Sequence, residues 1–183
     1  MTAAGTVVWF TGLPQSGKST LAARLRDRLA PTRTCIVLDS DELRAALGAT
    51  EYGDAGRTTF YATLAALATL LARQGHLVLV AATAPRLAHR DAARCGAPRY
   101  LEVWVRTAQA DCEARDVKGL YARARAGQAP ALPGVGIPYE PPLAPDVVAE
   151  GGFDHHALTR LQALLGAPSW PAVTARGLHE RPA

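Results

Sequence analysis

The sequence predicts an α/β fold in which a mostly parallel sheet is covered by helices on both faces. Two observations support this prediction. Short apolar segments rich in β-branched residues alternate along the chain with longer segments whose apolar residues recur at helical spacing. The first of these strands also leads directly into a glycine-bearing loop and a helix. Right-handed crossovers place the loops that follow parallel strands at one edge of the sheet, where ligands bind.

The individual elements follow from this alternation. Four segments are predicted to be buried strands: 6–10, 35–39, 76–83 and 100–105. Helices are predicted from about 17 or 18 to Pro31, over 40–48, 57–74, 85–95, 108–116 and 154–165. The long helix over 57–74 is expected to turn Leu64, Leu67, Leu70 and Leu71 inward. Residues 127–145, which are rich in proline and glycine, are expected to run irregularly over the surface.

Length and composition limit the domain organisation and the partners. With 183 residues, 49% of them apolar and 20% charged, the chain is expected to form one domain over 1–165. A loosely packed or disordered tail is expected over 166–183. The net charge of +4 suits anionic partners, but no basic run with interleaved aromatics suggests nucleic acid. No apolar run reaches the roughly 18 residues that a membrane span needs.

The N-terminus and the cysteines predict a cytoplasmic protein. The first ten residues lack the basic region of a signal peptide. The three cysteines are widely spaced, odd in number and form no CxxC pair, which favours reduced thiols and no structural zinc.

Lysine is unusually rare in this chain. Of the 20 basic residues only Lys18 and Lys118 are lysine, and asparagine is absent. An ammonium is a compact point charge, whereas a guanidinium is a planar fork. The two remaining lysines therefore mark positions where a compact charge is needed.

The segment after the first strand fits the phosphate-loop pattern GxxxxGK[ST]. Its glycines allow backbone N–H groups to turn toward phosphate oxygens, and the following helix adds its positive N-terminal end. In this pattern the lysine reaches the β- and γ-phosphates and the final hydroxyl binds Mg²⁺. The alternative is a glycine-rich turn that only resembles the motif. The predicted ATP-binding residues are Gly12, Leu13, Pro14, Gln15, Ser16, Gly17, Lys18, Ser19 and Thr20.

Two carboxylates follow the second strand, close to the phosphate loop by the predicted topology. Asp41 is the candidate general base at the substrate hydroxyl, or a ligand of the Mg²⁺ water shell, whereas Asp39 is expected to support the strand end. The alternative is that Ser40 or Asp41 only caps the next helix.

Basic residues accumulate before the proline- and glycine-rich segment, and they include Arg115 and Lys118. A mobile basic segment over about 115–145 would close over bound phosphates as a lid, excluding water and neutralising charge. The alternative is a solvated helix face, which the rare lysine disfavours.

These motifs together resemble the adenylylsulfate kinase family over about residues 6 to 150. The matching pieces are FTGL and SGKSTLA, LDSDELR, and EVWVRT followed by CEARDVKGLYARARAG and PYEPP. The block over 112–141 is the most distinctive. Members phosphorylate the ribose 3′-hydroxyl of adenylylsulfate with ATP and Mg²⁺, so the resemblance implies a single P-loop kinase domain with this activity. Members commonly form dimers, so a homodimer is an assembly that the resemblance allows.

The resemblance also implies roles for particular residues. Arg44 and Arg57 match arginines that hold the phosphosulfate, and Tyr52 matches an aromatic that stacks on the substrate adenine. Arg115 would lie near the ATP base. The acceptor side as a whole would comprise Asp39, Arg44, Tyr52, Arg57, Phe60, Lys118, Gly119, Leu120 and Leu132.

The chain departs from the family pattern on the acceptor side alone. Phe60 occupies the place of a usual asparagine, Ala62 and Thr63 that of a basic pair, and Ala84 that of a serine. Leu132 replaces an aromatic that would close the adenine sandwich. Two explanations compete, a divergent adenylylsulfate kinase or a kinase of this fold with another hydroxylated acceptor. A nucleotide-binding regulatory module without turnover is the non-enzymatic alternative, although it would need neither Asp41 nor Lys118.

Overall fold

The computed structural model describes residues 5–166 and confirms the α/β class. Five parallel strands form one sheet in the order β2-β3-β1-β4-β5. The strands are β1 Thr6–Thr11, β2 Cys35–Asp39, β3 Leu77–Ala81, β4 Tyr100–Val105 and β5 Val147–Ala149. The helices are α1 Lys18–Leu29, α2 Ser40–Leu47, α3 Asp54–Arg73, α4 Leu87–Gly96, α5 Gln109–Ala114, α6 Leu120–Arg125 and α7 His155–Leu165.

The position of β1 in the centre of the sheet determines where the site lies. Phe10 pairs with Ala81 of β3, and Asp39 at the end of β2 pairs with the same residue. The carboxyl ends of β1 and β2 therefore lie at one edge, on either side of β3. The loop after β1 and the acidic residues after β2 emerge there together.

Alternating side chains of β1 supply two cores. Val8 and Phe10 belong to a cluster on the α1 and α7 face, whereas Val7 and Trp9 belong to one on the α3 and α4 face. Successive residues of a strand point to opposite faces, so a strand that is apolar at every position requires cover on both sides. This explains the helices on both faces.

Several element predictions need correction. β2 is an edge strand and only half-buried along its length, rather than buried. Helix α3 begins at Asp54, and Leu70 is 54% exposed instead of facing inward. The buried face of α3 carries small residues, Ala65, Ala68 and Ala72, beside the larger Leu64.

Two short elements were not predicted, namely β5 and α6. The segment over 127–145 contains no helix or named strand, which agrees with the predicted irregular excursion, and α7 lies where the last helix was expected. The predicted tail falls, apart from Gly166, outside the described residues. Within residues 5–166 no helix has the length and apolar character needed to span a membrane.

Candidate active site

The phosphate loop connects β1 to α1 and has the backbone shape that its glycines permit. Gly17 has φ of +99°, and Gln15 also has a positive φ of +62°. A Cβ on Gly17 would lie 2.5 Å from the backbone nitrogen of Gly152, so only glycine fits. The loop thus packs against the segment after β5, a contact that the motif alone does not predict.

The side chain of Lys18 folds back over the loop. Its ammonium donates to the carbonyl oxygens of Gly12 at 3.2 Å and Leu13 at 2.8 Å. Burial lowers the pKa of Lys18 to about 8, although the nearby carboxylates of Asp41 and Asp39 act in the opposite direction. The site therefore contains a buried cation that anionic phosphate would stabilise.

Asp39 joins the phosphate loop to α2. Its Oδ2 accepts a hydrogen bond from the Ser19 hydroxyl, and its Oδ1 accepts one from the Asp41 amide at 2.9 Å. The second bond makes Asp39 the N-cap of α2. The alternative that Ser40 or Asp41 caps this helix is therefore wrong, because the cap is Asp39.

Asp41 instead forms an ion pair with the second lysine. Nζ of Lys118 lies 2.5 Å from Oδ2 of Asp41, and the two side chains are 57% and 67% exposed. This hydrogen bond raises the pKa of Lys118. The structure thus brings together both lysines and both carboxylates that the sequence singled out.

Asp116 and Tyr121, which sequence reasoning missed, make hydrogen bonds at the start of the segment over 115–145. The Asp116 carboxylate accepts from the first three amides of α6, those of Leu120 at 2.7 Å, Tyr121 at 2.8 Å and Ala122 at 3.1 Å. The Tyr121 hydroxyl donates to the Pro14 carbonyl at 2.9 Å. An Asp shortly before a helical segment is a cap signal that could have been used, whereas the contact between Tyr121 and Pro14 has no local signal.

Leu132 was expected to face the adenine opposite Tyr52. In the structure this side chain is covered by its neighbours. It is only 8% exposed and packs in a small cluster with Cys112 and Tyr121, against which Leu13 also packs. It belongs to the segment over 115–145 and lies beside Leu13 of the phosphate loop. The predicted role of Leu132 opposite Tyr52 stays a prediction.

Arg44 and Arg57 are both buried, each with 7% of its surface exposed. Nη1 of Arg44 donates to the carbonyl oxygens of Ala49 at 3.1 Å and Glu51 at 3.2 Å. Arg57 donates from Nε to the Tyr52 carbonyl at 2.7 Å and from Nη2 to the Ala131 carbonyl at 2.6 Å. Among residues 5–166 neither guanidinium is paired with a carboxylate.

Aromatic rings surround the Arg44 guanidinium. Its Cζ lies 3.8 Å from the ring centroid of Phe60 and 4.6 Å from that of Tyr52. Phe60 is buried, but the Tyr52 side chain is 55% exposed and remains accessible to a ligand.

Arg115 is exposed at the end of α5, while Gly119 adopts φ of +62° where α6 begins.

The far end of the lid segment is attached to the sheet edge. The Tyr139 hydroxyl lies 3.1 Å from the Thr11 hydroxyl, which donates to the Thr83 carbonyl at 2.7 Å. Burial raises the pKa of Tyr139 to about 12, so it stays a neutral phenol. The Glu140 amide donates to Pro85 at 2.7 Å. These attachments were also missed by sequence reasoning, because they join residues far apart in the chain.

A glycine-bearing phosphate loop with its lysine, two carboxylates at the next strand end and a basic segment that brings Lys118 to Asp41 define a P-loop phosphotransferase. Residues 4–150 match the family model described as adenylylsulphate kinase. The chain belongs to this family, which confirms the resemblance.

Individual relatives agree with this assignment. An adenylyl-sulfate kinase of Paraburkholderia xenovorans is 44% identical over 81% of this chain and 84% of its own length. One from Citrobacter koseri is 40% identical over 80% of this chain and 75% of its own. The solved structure of the Mycobacterium tuberculosis APS kinase CysC in complex with AMPPNP and APS superposes with a TM-score of 0.81. It is 40% identical and covers 89% of this chain and 99% of that one.

Proposed function

We propose that this protein transfers the γ-phosphate of ATP to the ribose 3′-hydroxyl of adenylylsulfate. The observation that carries the proposal is the pair of buried arginines, Arg44 and Arg57, which have no carboxylate partner in the described chain. Buried charges in proteins are normally paired, so two such guanidinium groups favour an anionic ligand. The relatives named adenylyl-sulfate kinase, and the related structure holding AMPPNP and APS, support the choice of substrates.

On the ATP side, the phosphate loop would cradle the phosphates with its backbone amides, and Lys18 would contact the β- and γ-phosphates. The hydroxyl of Ser19 and the carboxylate of Asp39 already touch, so they present oxygen donors of the kind that Mg²⁺ prefers. Asp41 would support the water shell of the ion. When bound with ATP, Mg²⁺ supplies charge neutralisation at the phosphates.

On the acceptor side, Arg44 and Arg57 would hold the phosphosulfate group through charge-assisted hydrogen bonds. The exposed ring of Tyr52 would stack on the adenine. Leu132 would offer an aliphatic surface to the second face of the base, so adenine is expected to be held less tightly than between two rings.

At the reacting hydroxyl, Asp41 would accept the proton of the ribose 3′-OH as the new O–P bond forms and the bond to the ADP leaving oxygen breaks. Lys118 already contacts this carboxylate. Its ammonium would shift toward the transferring phosphate, where negative charge accumulates on the oxygens. Arg115 would lie over the ATP base from the end of α5.

The assembly and location remain predictions. A homodimer and a cytoplasmic location are both expected from the resemblance and the composition. Sedimentation analysis of the purified protein at several concentrations would test the first.

The direct test is a coupled assay of ADP release with adenylylsulfate, with AMP and with no acceptor. Adenylylsulfate should be the preferred acceptor, and the product should carry a 3′-phosphate by mass and NMR analysis. Faster turnover of another hydroxylated phosphate compound would contradict the named acceptor. ATP binding without turnover of any acceptor would instead favour a regulatory module.

The arginines provide a second test. Arg44→Ala and Arg57→Ala should each raise the KM for adenylylsulfate on the order of ten- to a hundred-fold, since a charge-assisted bond contributes about 1.5–3 kcal/mol. The KM for ATP should change little. Thermal melts are needed as a control, because Arg57→Ala also removes the hydrogen bonds to Tyr52 and Ala131. Equal rises in the KM for adenylylsulfate and the KM for ATP would indicate damage to the fold.

A further inference from the structure

Phe60 lies in the second turn of α3 and faces a charged group rather than only apolar neighbours. Its side chain is 4% exposed, and its ring centroid lies 3.8 Å from Cζ of Arg44. It also meets the ring of Tyr61 edge-on, with centroids 5.4 Å apart and planes at 66°. One face of Phe60 thus belongs to the apolar core and the other to a cation.

Hydrogen bonds and aromatic rings both contact the guanidinium of Arg44. The carbonyl oxygens of Ala49 and Glu51 engage Nη1 and fix that corner of the plane. The ring of Phe60 is the nearest of these rings, with its centroid 3.8 Å from Cζ, whereas that of the exposed Tyr52 lies at 4.6 Å. A cation over an aromatic face is attracted by the ring quadrupole, and more strongly when both are removed from water. An amide or aliphatic side chain at position 60 would provide no such surface.

We infer that Phe60 is a positioning residue for the acceptor site, acting through Arg44. The ring holds the guanidinium in one orientation, so the nitrogen atoms not engaged by the two carbonyls are pre-arranged for an anion. Pre-organisation lowers the entropy lost on binding, and its loss appears as weaker acceptor binding. This inference rests on the proposed function, because it assigns Arg44 to the anionic end of the acceptor.

A purely structural role for Phe60 makes a different prediction. Phe60 is also part of the core cluster that contains Trp9 and Leu64. If it only filled space, its replacement would lower stability and reduce the active fraction without a selective change in one KM. The distinguishing readout is therefore the KM for the acceptor compared with kcat and the KM for ATP.

The test compares Phe60→Tyr, which keeps the ring, with Phe60→Leu and Phe60→Met, which remove it. Phe60→Leu and Phe60→Met should raise the KM for adenylylsulfate roughly five- to thirty-fold, with kcat and the KM for ATP within about two-fold of wild type. Phe60→Tyr should restore acceptor binding to within about three-fold. Having two ring-free variants keeps the comparison possible if one of them folds poorly.

A double-mutant cycle locates the effect. In an Arg44→Ala background, Phe60→Leu should cause no further rise in the acceptor KM, because the group that it positions is gone. A full additional rise would overturn the inference. An unchanged acceptor KM in Phe60→Leu and Phe60→Met would also overturn it, as would equal losses in Phe60→Tyr and Phe60→Leu.

The orientation of Arg44 can also be measured without any acceptor. The Nε–H resonance of Arg44, assigned by its loss in Arg44→Lys, should be shifted by the ring current in wild type and return toward the free value in Phe60→Met. The same signal titrated with inorganic phosphate reports anion binding. If wild type fails to phosphorylate adenylylsulfate, the proposed function fails. The positioning role then stands only if this signal shifts and phosphate binds more weakly in Phe60→Met, and it is overturned otherwise.

Discussion

The ammonium of Lys118 lies 2.5 Å from Oδ2 of Asp41, although 77 positions separate the two residues in sequence. This ion pair connects the lid to the acidic end of β2. Because both side chains are more than half exposed, the pair itself contributes little stability. Its significance is chemical, since it places the lid lysine beside the carboxylate proposed to receive the hydroxyl proton.

Asp41→Asn keeps the side-chain shape but removes the base. We expect kcat to fall about 10²-fold or more, within the range of general acid–base groups, with little change in melting temperature. Asp27→Asn is a matched control on the exposed surface of α1 and should keep normal kinetics. A normal kcat in Asp41→Asn would remove Asp41 from the proton transfer.

The buried ammonium of Lys18 predicts a pH dependence. Its pKa is lowered to about 8 in the folded protein from an ordinary 10.5. Between these values Lys18 is neutral when folded and charged when unfolded, so its contribution makes stability rise with pH across that window. Below about pH 8, the cost of burying the charged ammonium lowers the free energy of unfolding in full.

ATP binding reverses this cost, because phosphate favours the charged lysine. The affinity for ATP should therefore fall as pH rises from about 7.5 to about 9.5, with proton uptake on binding near the upper end. Calorimetry in buffers of different ionisation enthalpy measures both.

Lys18→Ala should abolish turnover and flatten this profile, and Lys18→Arg should lose nearly as much activity, because a planar fork does not fit the loop. An affinity that is equally pH-dependent in Lys18→Ala would mean that another group titrates.

The hydroxyl of Tyr121 connects the lid to the phosphate loop. Tyr121→Phe deletes its hydrogen bond to the Pro14 carbonyl, and we expect a stability loss of about 0.5–1.5 kcal/mol with a several-fold rise in the KM for ATP. Tyr100→Phe is a useful control, because within residues 5–166 the buried hydroxyl of Tyr100 has no hydrogen-bond partner. That variant should be neutral or slightly stabilising. A KM for ATP that is unchanged in Tyr121→Phe would show that the loop holds its shape without this contact.

Leu132→Phe tests the proposed place of that side chain opposite Tyr52. Leu132 is packed against Cys112 and Tyr121, so a larger ring should overpack the cluster and cost about 1–3 kcal/mol of stability. Acceptor binding should tighten, because a ring at position 132 would stack on the second face of adenine. Equilibrium unfolding together with acceptor KM values measures both effects. An acceptor KM that is unchanged or higher in Leu132→Phe would mean that position 132 does not face the base.

Local signals explain what the sequence could predict. The phosphate loop depends on residues close together in the chain. Strands β1 to β4 follow from short apolar segments that are rich in β-branched residues. The rarity of lysine identified Lys118, whose contact with Asp41 the structure contains. Arg44 and Arg57 came from the resemblance alone, since an isolated arginine on a helix gives no sign of being buried.

What the sequence could not predict depends on long-range contacts. Leu70 fits the apolar face of α3 by spacing, yet alanines pack inward there and leave it exposed. The three-residue strand β5 is too short for any periodic signal. The burial of Leu132 and the contact of Tyr121 with Pro14 arise from packing of the segment over 115–145 against the loop after β1.

A buried ion pair between α4 and β4 contacts the C-terminal end of the segment over 115–145. Arg90 and Glu102 are each 1% exposed, and Nε of Arg90 lies 2.9 Å from Oε1 of Glu102. The other Arg90 nitrogens donate to the carbonyl oxygens of Ala84 at 2.5 Å and Glu140 at 2.8 Å. Arg94 contacts the second oxygen of Glu102 from a more exposed position. One arginine thus joins α4, β4 and the lid segment.

Removing Arg90 should therefore destabilise both the core and the lid attachment. Arg90→Leu leaves Glu102 buried with only a partly exposed partner, so we expect a loss of about 3–5 kcal/mol in unfolding free energy. Arg26→Leu breaks an exposed ion pair and should stay within about 0.5 kcal/mol of wild type. The Glu140 amide, which donates to Pro85, should exchange hydrogen faster in Arg90→Leu even under native conditions. Wild-type protection at Glu140 would mean that Tyr139 and the backbone bond hold the lid end without the arginine.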